Sequence, residues 1–363
     1  MKGGLKMKYE KVLDSTSPYG PQGLLEKEGL LISTRFWANT QADILTGTGL
    51  PVSDEEMKTY LAIPDDVEIP QDFQKIYDVY NEYKQLCNWW MKNLFSSVLN
   101  MVNDINNIGS LATRTINSDI KLLQIMSNDS NEQGRQEAAK QFQSSCSKLA
   151  AILNQQQQSM KEVQNQLNSL LQGSNDCIGV RQLNNSLEKE VAYLDSQYND
   201  ESEIHDSINM FLELKKLLGI FVEGHDINEK VKFSFDLGPL FGFIVSEILE
   251  CSDIQSVKQQ IDHFLNMLNN MDAQLSLEVK VLGMLHSINI DLVNVIAQAE
   301  KSKEFIGQIE GIWHSITNQF YSLAQGFENE DINKLSADLD HAAATWETVA
   351  NKAKEFVTNS YQG

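Results

Sequence analysis

The residues that could do chemistry in this sequence are few, and their spacing does not serve it. The six histidines, His205, His225, His263, His286, His314 and His341, form no HExxH motif and no i, i+4 pair, so no helical face offers two imidazoles to one metal. Gly47-Thr48-Gly49 lacks the GK[ST] continuation of a phosphate loop and reads as a turn. NDSNEQG (128–134) has the oxygen ligands of a calcium loop but no glutamate at the twelfth position, and reads as a helix–helix loop. Nucleophile elbows, Cys–His signatures and carboxylate pairs in an apolar setting are missing. The expectation is a protein that is not an enzyme, with no catalytic residue, no metal and no cofactor.

The four cysteines, Cys87, Cys146, Cys177 and Cys251, have neither zinc-site nor thioredoxin-like spacing. One pairing is sterically open. Cys87 lies 44 residues before Asn131 and Cys177 lies 46 after it. If both arms are straight antiparallel helices turning at Asn131, the two sulfurs differ in level by about 3 Å of helix rise, and a Cys87–Cys177 disulfide forms if the faces agree. Trp37, Trp89, Trp90, Trp313 and Trp346 sit in helical patterns and read as packing residues.

One segment departs from the rest, KVKFSFDLGPLFGFIVSEILE (230–250). Val231, Phe233, Phe235 and Leu237 alternate with Lys232, Ser234 and Asp236, the period-two pattern of a strand with one apolar face. Gly238-Pro239 is a turn pair, and Leu240, Phe241, Phe243, Ile244 and Val245 form a second, nearly continuous apolar arm. Leu237 to Ser246 carries no charge. Such a segment is a β-hairpin or a short apolar helical pair. It serves either as a plug in the bundle core or as a concealed membrane-inserting tongue, each arm approaching the ~9–11 residues of a spanning strand.

The elements around this segment are helices. Of six prolines, Pro18, Pro21, Pro51, Pro64, Pro70 and Pro239, only one falls in the 293 residues from Gln71 onward, where average usage gives roughly 15. Proline breaks helix interiors, so long helices are expected there. Residues 71–127 read as one long helix or two nearly collinear ones. Phe142, Cys146, Leu149, Leu153, Gln156, Met160, Val163, Leu167 and Leu170 then keep 4-3 spacing, a coiled-coil seam in which Gln156 alone is polar. QGSND (172–176) is a break, and a further helix runs from about Ile178 to Leu218, either whole or interrupted near YNDES (198–202). The seam returns at Ile254, Val257, Ile261, Phe264, Leu268, Met271 and Leu275, and continues after one skip through Val279, Leu282, Leu285, Ile288, Leu292 and Val295 without ending the helix. QGFENED (325–331) is a turn before a last helix over 332–360. In the N-terminal stretch, residues 24–45 can make a helix weakened at Gly29, Ser53 and Glu56 have capping-box spacing, and IPDDVEIP (63–70) is extended.

The expected fold class is all-α: an elongated antiparallel bundle of long helices as a tail, with a small apolar head or tongue. The expected domains are 1–70, an N-terminal segment packing on the bundle; 71–216 and 251–363, the tail; and 217–250, the head. A formal net charge of −21 argues against nucleic acid as a partner. No apolar run approaches the ~20 residues of a spanning helix. MKGGLKMKYE has no apolar h-region, so no standard secretory signal is visible.

Several stretches resemble a known family: TGTGLPV (46–52), IPQDFQKIYDVY (69–80), WWMKNLF (89–95), KVKFSFDLGPLFGFIVSEILE (230–250), VKVLGMLHSINIDLVN (279–294) and GIWHSI (311–316). Spread along the chain in order, they resemble the α-helical pore-forming toxins of the cytolysin A and haemolysin BL type. The likeness is greatest to the all-helical crystal pesticidal toxins, active on nematodes and insects. Xenorhabdolysin A-type subunits of binary toxins share the GTGLP-like start. The resemblance implies a protein that exposes its tongue, homo-oligomerises and permeabilises a target-cell membrane, alone or with a second toxin component or a host receptor. It implies release from the producing cell, from a crystal inclusion or by non-standard secretion. From the residues alone, a coiled-coil scaffold protein is the rival reading.

Overall fold

The computed structural model describes residues 17–26, 29–30, 44, 47–61, 63–198, 204–210, 212–213, 259, 263, 266–268, 270–327 and 331–360. The fold is all-α: helix dominates these residues, beside one two-residue strand pair. In chain order the elements are β1 (Leu25–Glu26), β2 (Gly29–Leu30), α1 (Asp54–Leu61), α2 (Gln74–Trp90), a π turn (Met91–Phe95), α3 (Ser96–Asn128), α4 (Glu132–Gln155), α5 (Gln157–Gln172), α6 (Val180–Tyr198), α7 (Ala273–Gln325) and α8 (Ile332–Ser360). At 1.5 Å per residue, the 53-residue α7 is about 80 Å long.

The chain divides into two compact units. The first gathers the N-terminal residues to Thr34, Leu94–Gln166 and Ser302–Gln362. Here α3 packs against α8 and α4. The α3 stripe of Ile105, Ile108, Ala112, Ile116, Leu123 and Met126 is buried, and α8 answers with Leu335, Leu339, Ala342, Ala343, Trp346, Val349, Ala350 and Ala353. The alanines matter, because short side chains let two helix backbones approach. Gly109 marks a close approach: a Cβ there would lie 2.9 Å from Ala350 Cβ and 3.0 Å from the Trp346 carbonyl oxygen.

Directional contacts fix register in this unit. The Trp313 and Trp346 rings meet edge to face, centroids 5.5 Å apart at 85°. Each indole N–H donates to a backbone carbonyl on another segment, Trp313 to Leu153 at 2.8 Å and Trp346 to Tyr19 at 3.0 Å. A buried tryptophan N–H needs such a partner, and finding one makes the ring an anchor as well as an apolar filler. Ser17 Oγ donates to the Asp338 carbonyl at 2.8 Å, tying the N-terminal stretch to α8.

The second unit spans Arg35–Asn93 and Leu167–Lys301. In it α2 packs on α6 and on the 3-10 turn Gly47–Gly49. Its α1 starts at the expected cap: the Glu56 N–H donates to Ser53 Oγ at 3.3 Å, and Glu56 Oε2 accepts from the Val52 N–H at 2.8 Å, one residue earlier than a strict capping box.

Most of the expected seam residues are buried: Phe142, Cys146, Leu149, Leu153, Met160, Val163, Leu167 and Leu170, then Val279, Leu282, Leu285, Ile288, Leu292 and Val295. Of the upstream seam, Leu268, Met271 and Leu275 fall among the described residues; Leu268 is buried, whereas Met271 and Leu275 are only half-buried.

Three local expectations need correction. Gln156 is not a polar residue inside a continuous helix; it is the joint between α4 and α5, its N–H reaching the Ile152 and Leu153 carbonyls at 3.3 Å each. The seam read as unbroken from Ile254 to Leu275 crosses a helix break at Met271–Asp272, where α7 starts afresh at Ala273 with Asp272 Oδ1 accepting from the Gln274 N–H at 2.9 Å, while the skip between Leu275 and Val279 lies inside α7 and ends no helix. Aspartate offers the backbone a cap in place of the next helical bond, which is why the break falls there. The helix expected from Leu24 is replaced at its start by β1 and β2, paired Leu25 to Leu30 and Glu26 to Gly29. Glycine weakens a helix, and the extended pair buries Leu24, Leu25 and Leu30 together.

The Gly109 approach yields a prediction. Gly109→Leu forces α3 and α8 apart, and overpacking of this kind costs typically about 1–3 kcal/mol. Thermal unfolding followed by circular dichroism is expected to shift down by several degrees. An unchanged midpoint would mean the α3–α8 approach is looser than described.

Candidate membrane-entering site

The sequence places the site at Val231, Phe233, Phe235, Leu237, Gly238, Pro239, Leu240, Phe241, Phe243, Ile244 and Val245. All eleven lie outside the described residues, as does the whole 217–250 head. The structure describes the arms nearest to it in the chain, α6 with residues 204–210 before it and α7 after it.

Both arms belong to the second unit at these positions. On α6, Leu183, Leu187, Val191 and Leu194 are buried; on α7, Leu277, Val281, Leu282, Leu285, Ile288 and Leu292 are buried. Polar ties fasten the arms to each other and to the N-terminal elements. Arg181 pairs with Glu300, and His286 Nε2 lies 3.0 Å from Asp195 Oδ1. Tyr193 donates from its hydroxyl to Asp72 at 3.1 Å and takes the Lys75 ammonium over its ring at 4.8 Å. Lys280 Nζ donates to the Leu61 carbonyl at 3.1 Å, and burial pulls its ammonium below the usual lysine range. Burial first, and then the Asp291 charge, push the Tyr60 hydroxyl up. Burial and the Asp54 carboxylate do the same for Tyr77, whose hydroxyl donates to Asp54 Oδ1 at 2.7 Å.

The α7 helix corrects another expectation. Part of it reaches a mean hydropathy of 1.4 over 18 residues, so by length and composition this one helix among the described residues could cross a membrane. Half of that window is buried inside the protein. The seam residues supply most of the apolarity, and Ile290 and Val293, 43% and 48% exposed, add two large apolar side chains off the seam. Scattered polar residues such as His286 and Asp291 hid the helix from a search for an unbroken apolar run.

The cysteine pairing is not made. Cys87, Cys146 and Cys177 are free thiols. Cys87 donates to the Ile44 carbonyl and packs against Gly47, where a Cβ would come within 2.6 Å of its sulfur. Cys177 donates to its neighbour Ile178's carbonyl at 3.0 Å, from a turn closed by the Ser174–Cys177 bridge and the positive φ of +87° at Gly173. The rise argument needed straight arms, and the second arm is broken at Gln156 and again at 173–179. Cys251 lies outside the described residues. Burial pushes the Cys177 thiol up to about 12 and the other two higher still.

Among the described residues no group of three His, Cys, Asp or Glu side chains could hold a metal ion. Trp89, Trp90, Trp313 and Trp346 are buried packing residues, and Trp37 lies outside the described residues. The Gly47–Gly49 segment is a turn, as its sequence suggested. Its packing against Cys87 and Tyr83 was not legible, because nothing local marks which helix a turn will meet.

These helices define a class. The chain has the fold of an α-helical pore-forming toxin subunit: it superposes on soluble SmhA of the tripartite α-pore forming toxin Smh from Serratia marcescens, with a TM-score of 0.61 and 10% identity over 95% of this chain and 96% of that one. No family model matches. Relatives in sequence are nearer. The chain is 65% identical over 358 residues to the SPbeta prophage-derived pesticidal crystal protein-like YokG of Bacillus subtilis strain 168, covering 98% of this chain and 100% of that one. It is 34% identical over 366 residues to the pesticidal crystal protein Cry6Ba of Bacillus thuringiensis, covering 95% and 92%. The chain belongs to the pesticidal crystal protein family of YokG and Cry6Ba.

The thiol environments yield a prediction. In native buffer, Cys87 and Cys146 are expected to resist iodoacetamide for hours and to react once denaturant is added. Peptide mapping without reductant should show no Cys87–Cys177 linkage. A recovered linked peptide would contradict the described geometry.

Proposed function

We propose that the chain is a pore-forming toxin of the pesticidal kind. It is made as a helical protein, exposes an apolar tongue at a target-cell membrane, assembles with further copies and permeabilises the bilayer. The observation that carries this reading is the near full-length kinship with Cry6Ba, and the toxin fold supports it. Release from the producing cell and a host receptor belong to the same reading. No step of it calls for an enzymatic group.

The tongue is 231–245, within a head of 217–250. Val231, Phe233, Phe235 and Leu237 meet lipid or neighbouring tongues, Leu240, Phe241, Phe243, Ile244 and Val245 form the second arm, and Gly238-Pro239 leads. The apolar period-two pattern supports this assignment, because no other stretch of the sequence joins such alternation to a turn pair and an uncharged run. The alternative of a component that needs a second protein draws on SmhA, itself one part of a tripartite toxin.

Dye release from liposomes tests the proposal. A charge on a lipid-facing position near the midplane costs up to about 2–4 kcal/mol, and every subunit would carry it. Phe243→Asp with Val245→Asp is expected to abolish release while the melting temperature holds. Full release by the normally folded double variant would refute the tongue. A sharp fall in melting temperature would mark 231–245 as a core plug.

A further inference from the structure

The α3 stripe that faces its neighbours runs Ile105, Ile108, Ala112, Ile116, Asp119, Leu123 and Met126, at spacings of three and four. One member is an acid. Asp119 is 1% exposed, and neither carboxylate oxygen has a hydrogen-bond partner in good geometry. A buried ionised carboxylate with only the Ser145 hydroxyl near enough to favour its charge is costly to hold, so the site favours the neutral acid.

We propose that Asp119 is a proton-controlled latch between α3 and α4: the neutral acid lets α4 lie on α3, and loss of its proton loosens that contact. The position suits a latch. Asp119 is about three turns from the Asp129–Asn131 turn that joins the two helices, so α4 can open there without the rest of the seam parting.

The groups around it are few. From α4 come the Ser145 hydroxyl and the buried Cys146 thiol, which burial and the Asp119 charge itself keep protonated. Lys148 on α4 is exposed. From α8, the antiparallel register that sets Gly109 beside Ala350 and Thr113 beside Ala343 brings Asp338 and the exposed Lys334 to this level. Burial acts upward on the Asp119 carboxyl and the Ser145 hydroxyl downward, leaving it raised to about 7, and no charged neighbour contributes. Asp104, on the same helix, is half-buried and likewise raised by burial, with Ser159 acting downward.

The direction follows from proton linkage. A carboxyl raised in the folded protein binds a proton there at pH values where the opened form, near 3.9, has lost it. The closed contact is therefore firmest in acid, weakens as pH rises from about 4 to about 7, and changes no further once the closed form is also ionised.

Hydrogen exchange of the α4 amides, without lipid and corrected for the intrinsic rate, tests this independently of the pore reading. Between pH 5 and 7 the opening constant of wild type should rise by up to about tenfold per pH unit, then level off. Asp119→Asn keeps the shape without the charge and should abolish the rise, while leaving any contribution of Asp104 in place. Asp119→Leu, which completes the apolar stripe, should be flat and better protected, and it carries the comparison if the asparagine variant folds poorly. A flat wild type, or the same rise in either variant, would overturn the latch.

Discussion

The constraint on which the structure depends is that each long helix has one apolar stripe and must keep it out of water. Burying a leucine, isoleucine or phenylalanine side chain contributes roughly 1.5–3 kcal/mol, and the stripes on α3, α4, α5, α7 and α8 supply such residues turn after turn. The ion pairs add little to this. Arg135–Glu132, Arg181–Glu300 and Lys352–Glu355 are exposed, and pairs of that kind contribute about 0–1 kcal/mol. A helix held by its stripe rather than by a polar lattice can exchange one apolar partner for another and remain a helix. The proposed change from helical bundle to membrane assembly would draw on that freedom.

Specificity has to come from a few directional contacts. In the first unit these are the two indoles, each bonded to a carbonyl of a different segment, and the Gly109 approach, which admits no side chain. In the second unit, the second segment of the chain is pinned by Asp72 and Lys75 on Tyr193, and the Leu61 carbonyl takes Lys280. The partly desolvated Lys280 is a weak point among these ties, since its charge is held at a cost. Helix α7 buries half of its most apolar window in the core and leaves Ile290 and Val293 exposed off the seam.

The seams were legible in the sequence because a three-four spacing of apolar residues has one economical solution, burial along a helix face. Phe142 to Leu170 and Val279 to Val295 are buried as their spacing required. The helix ends at Asn128 and Gln325 were legible because Asn, Asp and Gly cluster just beyond them. Breaks within a seam were not. Gln156 and Asp272 interrupt helices by local backbone bonding that the apolar count does not register. The Cys87–Cys177 pairing failed for the same reason, since counting rise assumes an unbroken arm. Asp119 was missed because a single acid on an otherwise ordinary helix has no motif; only its burial reveals it. The proposed tongue remains the sequence's contribution, carried by the alternation at 231–237 and the uncharged run after it.

The central claim is that the 231–245 segment enters the bilayer. The most direct measurement places an environment-sensitive dye on Phe243→Cys, with the four native cysteines replaced by serine or alanine, and quenches it with lipids brominated along the acyl chain. The account predicts a blue shift on adding liposomes and strong quenching by bromines near the bilayer centre, in a preparation that still releases entrapped dye. Unquenched, water-like emission from a preparation that permeabilises the same liposomes would contradict it.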